Sequence, residues 1–345
     1  MLNEIKNTIT QDIWKIKLPN PIYESNSVIR LPKSNSTKYF PKEIKDYILT
    51  HPSEKLAYRG TSPIKYNVEF YCYGRSIPLE KLQRQMKMVI WWLSTIQTYT
   101  DIKCDEMELM VYLTPFKKSL PTDSSSTPKS KVLSAINCNT GFSTRCDMEH
   151  NIVVYREEEW FKVFIHESFH YFGLDFAFSQ PPSLDKSLKD LFCVSSTILL
   201  FESYTEFWAE MIVMLLYSRL HNKPLSTIVQ KEITHSLAQS KKVLGLQGFS
   251  YSDVLSPCKK SPNNSYKEDT NVFAYYVIKT LFLYYHEDFV SWCVDNNPNL
   301  LRITPSELSS LFEWIKTRYN APEFVAAVEG VAVDGTGLRM TTINL

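Results

Sequence analysis

Two histidines four residues apart, with a glutamate directly after the first, stand at His166-Glu167-Ser168-Phe169-His170. On a helix, four residues is slightly more than one turn, so both imidazoles project from one face and can grip a single ion. Glu167 then sits on the flank of that face, where a carboxylate can take a proton from a water that a metal has made acidic. The chemistry expected is hydrolysis with Zn2+ as cofactor, His166 and His170 as metal ligands and Glu167 as general base.

The surrounding residues supply the helical context this reading needs. Phe161, Phe164, Ile165 and Phe172 form an apolar face opposite the histidines, and Gly173 is placed to end the helix. So apolar a helix must be buried. Two histidines and a glutamate on it then require partners, which a metal supplies.

A catalytic zinc site usually takes three protein ligands and leaves a position for water. A glycine turn leading straight to a third histidine is one route, but Phe176 holds that position, so this route works only if the neighbouring Asp175 substitutes. The other route is a later helix, FESYTEFWAEMIVMLL (201 to 216), which presents Glu202, Glu206 and Glu210 at successive i, i+4 positions. An exposed acidic face is the ordinary fate of such glutamates. Here the apolar residues Tyr204, Phe207, Trp208 and Met211 leave only a narrow acidic stripe, and Ala209 beside it lets another helix approach. Glu206 is expected as third ligand, with Glu202 one turn earlier as the alternative and Glu210 behind as the acid that orients a histidine.

The pair HESFH and EFWAE resembles the gluzincin branch of the zincin metallopeptidases, over roughly residues 150 to 216. TEFWAE is similar in form to the glutamate helix of anthrax lethal-factor-like peptidases, which implies Glu206 as ligand. The resemblance also implies that the strand NIVVY (151 to 155) is the edge strand along which substrate pairs in extended form. The run EEWFKVFIHESFHYFGLDF bears a fainter likeness to zincin-like proteins of large DNA viruses, which makes a virion component conceivable.

The elements that must position these residues follow from periodicity. NVEFYCY (67 to 73), MELMVYL (107 to 113), VLSAINCN (132 to 139) and NIVVY have strand composition, and 78 to 99 runs at helical spacing. The second half reads as helices over 197 to 220, 225 to 243, 270 to 286 and 305 to 319, with a linker-like stretch at 256 to 269. The fold class expected is α+β and zincin-like. Residues 1–63 form an N-terminal arm or irregular layer, 64–176 a sheet lobe ending in the HExxH helix, and 177–345 a helical lobe carrying the third ligand. The polar run Lys117 to Lys131 is expected to be a mobile loop.

Composition excludes several alternatives. The 345 residues are 44% hydrophobic and 22% charged, a globular content, and the net charge of +1 gives no sign of a nucleic-acid partner. Val272 to Tyr285 is the longest apolar stretch, too short and interrupted by Lys279, so no membrane partner is expected. The seven cysteines are odd in number and form no C-x-x-C pair, and the N-terminus lacks the apolar core of a secretory signal. Reduced thiols and a cytoplasmic, intracellular protein are expected.

The partner expected is a peptide or protein substrate. Tyr204, Tyr275, Tyr276 and His235 are candidates for stabilising an oxyanion, and sequence does not choose among them. The rival reading is a structural or assembly protein that keeps a zincin scaffold and hydrolyses nothing, against which the intact Glu167 argues.

Overall fold

In a computed structural model, which describes residues 11–25, 29, 31, 38–74, 76–121, 131–255 and 265–345, the chain is α+β. A six-stranded mixed sheet has the order β1-β2-β3-β4-β6-β5, formed by Ile22–Ser25, Ser53–Gly60, Lys65–Tyr73, Glu106–Leu113, Asn151–Val154 and Gly141–Ser143 respectively. β3, β4 and β6 run parallel, whereas β1 and β2 on one side and β5 on the other are antiparallel to their neighbours. The segment expected as an irregular arm therefore contributes two strands, β1 and β2.

Period-2 alternation divides the sheet residues between two cores. Val68, Phe70, Leu109, Val111, Ile152 and Val154 join the large core shared with the helices. Tyr71, Tyr73, Met110, Tyr112, Val153 and Tyr155 face the other way, onto Ile44 and Ile48 of helix α1 (Lys42–Thr50). On the large-core side, α2 (Leu79–Ile96) connects the parallel strands β3 and β4, and its Trp92 donates to Ser168 Oγ at 2.7 Å. VLSAINCN departs from expectation: a Ser134 capping box starts the short helix α3 (Ala135–Cys138), and the strand begins only at Gly141.

The helix α4 (Trp160–Tyr171) carries the HExxH residues and is buried except at His170, which is partly exposed. It ends as expected at Gly173, with φ of 61°. Gly173 N donates to His170 O at 3.2 Å and Leu174 N to Phe169 O at 2.9 Å, the paired bonds of a Schellman cap. After α5 (Pro182–Leu191) come α6 (Leu200–Leu220), which packs on α4, and α7 (Leu225–Leu246). Phe273–Ile278 is a π-helix running into the helix Lys279–Tyr284, within the span expected as one α-helix.

Two further expectations meet the structure. Cys104 and Cys146 form a disulfide with Cα atoms 5.7 Å apart, and Cys193 is also disulfide-bonded, so the expectation of wholly reduced thiols is corrected. A scattered, odd cysteine count carries no information on which side chains the fold brings together. Of the loop expected at Lys117 to Lys131, residues 122–130 lie outside the described residues, and Lys118 is buried against Glu159 at 2.7 Å. Among the described residues no helix is long and apolar enough to cross a membrane.

Candidate metal and hydrolytic centre

The antiparallel packing of α4 against α6 places the functional side chains in steps of one turn. Lys162 meets Glu206, His166 meets both Glu206 and Glu202, and His170 meets Glu202. The two Nε2 atoms are 3.2 Å apart, and Glu202 Oε2 lies 3.2 Å from that of His166 and 3.4 Å from that of His170. His166, His170 and Glu202 are the group among the described residues with donor atoms close enough to hold one ion.

The cluster contains Glu202, the alternative named from the sequence, and leaves out Glu206. Glu206 does not reach the Nε2 pair. Its Oε1 accepts from Lys162 Nζ at 2.5 Å, and its Oε2 lies 2.9 Å from His166 Nδ1, a close contact off the hydrogen-bond axis. Glu206 therefore has the backing position expected of Glu210, and Glu210 lies further along α6, bonded to Lys279 Nζ at 2.7 Å. The physical reason is the helix–helix register, which Lys162 stabilises by pairing with Glu206 one turn before His166. Lys162, a charged residue among the apolar ones that open the helix, is the sequence signal for that register.

Each histidine is backed by a carboxylate on its far nitrogen. His170 Nδ1 bonds Asp175 Oδ2, and Asp175 is in turn fixed by the Ala177 amide at 3.0 Å. Asp175 is thus an orienting residue, and Phe176 is buried in the core. With protons on both Nδ1 atoms, the Nε2 lone pairs and the Glu202 carboxylate are three acceptors converging at 3.2–3.4 Å, an arrangement that a cation relieves. Burial alone would raise the carboxyl of Glu202, but the two imidazoles outweigh it and hold it down at about 2. Asn271, missed in the sequence, donates to the other oxygen of Glu202 at 2.9 Å.

Glu167 faces the same cleft. Burial pushes its carboxyl up, against the opposing pull of His166 and His170, and Ser143 Oγ bonds its Oε2 at 2.7 Å. Ser143 lies on β5, so the outermost strand of the sheet runs beside the base. A Cβ at Gly141 would lie 2.7 Å from Val153 O and 2.8 Å from Val163 Cγ1, which makes glycine the residue that lets β5 lie against α4. The strand NIVV, expected at the edge, is instead the inner strand β6 between β4 and β5.

The cleft has a volume of about 330 Å³ and is lined by the three candidate ligands, Glu167, Ser143, Arg145, Tyr39, Phe178, Phe201 and Tyr275. Of the four oxyanion candidates, Tyr275 lines it, with its ring 5.9 Å from that of His166. Tyr204, Tyr276 and His235 are engaged elsewhere, with the backbone oxygens of Leu301, Leu338 and Arg339. A second cavity of about 300 Å³ near the start of α4, lined by Lys81, Gln85 and Arg339 among others, contains none of the candidate ligands.

No family model, no curated protein and no solved structure matches this chain. The site therefore rests on its own geometry.

Proposed function

We propose that the protein is a zinc-dependent peptidase of zincin type, with His166, His170 and Glu202 as metal ligands and Glu167 as general base. The observation that carries this reading is the triangle of donor atoms, with sides of 3.2, 3.2 and 3.4 Å. Zinc with ligands at roughly 2.0–2.1 Å in tetrahedral geometry requires donor separations of about 3.3–3.4 Å. When bound, the metal supplies a Lewis acid that polarises the peptide carbonyl and makes an adjacent water acidic.

The chain's own residues do the rest. Asp175 bonds Nδ1 of His170, and the Glu206 carboxylate beside Nδ1 of His166 favours a proton on that nitrogen by its charge, so both Nε2 atoms are left free. Asn271 holds one oxygen of Glu202 so that the other faces the histidines. Glu167, its carboxyl raised by burial, takes the proton of the attacking water and passes it to the leaving amine, while Ser143 orients it. Tyr275, which lines the cleft together with Tyr39, is a phenol available to the oxyanion.

Elemental analysis of protein purified without chelators should find close to one zinc per chain, and a peptide mixture read by mass spectrometry should show discrete cleavages. A chain that neither carries nor takes up a transition metal would falsify the metal site. Zinc-loaded protein that binds peptides and cleaves none would favour the rival scaffold reading.

A further inference from the structure

The cleft beside the metal triangle has an aromatic wall that the hydrolytic chemistry does not use. Phe201 immediately precedes Glu202 on α6, and its ring stands edge-on to His170 with centroids 5.8 Å apart. Phe178, on the turn after α4, is 57% exposed although it is a large apolar side chain at the rim of a cleft. Its ring is stacked by the Arg145 guanidinium at 4.8 Å. Tyr39 contributes a further aromatic ring to the lining.

The charges around this wall are already engaged. Arg145 is held by Asp147 through two hydrogen bonds of 2.7 and 2.8 Å, Glu167 by Ser143, and Glu202 by the histidines and Asn271. An acidic side chain entering here meets an Arg145 cation already compensated by Asp147, and a basic one faces that cation directly. Either loses hydration for little electrostatic return. An aromatic or long aliphatic side chain loses nothing polar and covers Phe178 and Phe201. Because Phe201 adjoins one candidate ligand in space, His170, and another in sequence, Glu202, a residue seated on it lies next to the bond presented to the metal triangle.

The geometry points to a substrate class: extended peptides with an aromatic or long aliphatic residue adjacent to the scissile bond, with Phe178 and Phe201 as the specificity-determining residues. This rests on the peptidase reading for the bond that is cut, but the pocket can be tested by binding alone. β5 ends the sheet, with no strand on its outer side among the described residues, and its Gly141 and Ser143 line the same cleft, so an extended chain can pair there while its side chain enters the aromatic wall.

The test uses the full-length Glu167→Gln protein, which binds without turnover, and capped tetrapeptides differing at one central position among Phe, Leu, Ala, Glu and Lys. Calorimetric or ligand-observed NMR titration should rank Phe and Leu at least about tenfold tighter than Ala, and Glu and Lys weakest, as expected for burying one large apolar side chain. Adding Phe178→Ala, or separately Phe201→Ala, should reduce the Phe-over-Ala ratio to within about threefold. Phe178 is exposed, so its variant keeps the fold even if the Phe201 variant does not. Equal affinity for Phe and Ala, tighter binding of a charged peptide, no binding of any peptide, or a preference that survives Phe178→Ala in folded protein each overturns the pocket. Wild-type hydrolysis without side-chain preference overturns the pocket and leaves the peptidase. Selective binding that wild type never follows by cleavage overturns the peptidase and leaves the pocket.

Discussion

Lys162 Nζ lies 2.5 Å from Glu206 Oε1, both side chains buried, while the other oxygen of that carboxylate lies 2.9 Å from His166 Nδ1. Burial alone would raise the Glu206 carboxyl, yet Lys162 and His166 bring it well below the usual carboxylate range. The residue expected to bind metal is thus neutralised by a lysine and turned to the back of a histidine.

Metal retention should therefore rank the glutamates in a defined order. Glu206→Ala should weaken zinc binding by about 10–100-fold, the usual cost of losing a partner behind a ligand, and Glu202→Ala should cost more than that. Competition with a chromophoric chelator measures both. Greater loss in the Glu206 variant would return that residue to the ligand set.

Glu167→Gln separates base from scaffold. The amide preserves side-chain size and cannot accept the proton, so zinc content should stay near wild type while hydrolysis falls by roughly 10²–10⁴-fold. Equal cleavage by the variant would mean that Glu167 is not the base. His166→Ala would then distinguish a different catalytic group from a contaminating protease.

The Cys104–Cys146 disulfide closes a sequence separation of 42 residues and ties the chain before β4 to the segment between β5 and β6. Replacing both cysteines by serine should lower stability by about 2–4 kcal/mol, as restored freedom in the unfolded chain requires. Urea unfolding measures the change, and non-reducing peptide mapping should recover the linked pair. Finding both thiols alkylated in unreduced protein would show that the bond does not form.

Acid should unfold the protein partly through Glu159. Burial raises its carboxyl, but Lys118 and Lys162 outweigh burial and bring it to about 2, below the ordinary 4.5. A depressed carboxylate contributes stability that is present above about pH 4.5 and lost as pH falls toward 2, here on the order of 3 kcal/mol. Glu159→Gln should be less stable than wild type at pH 7, and the gap should narrow toward pH 3. A gap independent of pH in urea titrations would remove Glu159 from the acid transition.

The sequence by itself determined what is local. Four-residue spacing puts His166 and His170 on one face of α4, Gly173 supplies the left-handed turn that ends it, and alternating apolar residues make β3 and β4 strands buried on both faces. Those properties depend on a few neighbouring residues and on the periods 3.6 and 2. Tertiary structure decided what is not local. Glu202, Glu206 and Glu210 repeat at the same spacing, so any of them could have faced the histidines, and the register of α6 on α4 chose Glu202 while Lys162 took Glu206. Likewise β5 is three residues long, too short for a periodic signal, and became the outer strand because Gly141 allows it to lie against α4. Register and edge position are set by contacts between segments far apart in sequence, and no periodicity along one segment encodes them.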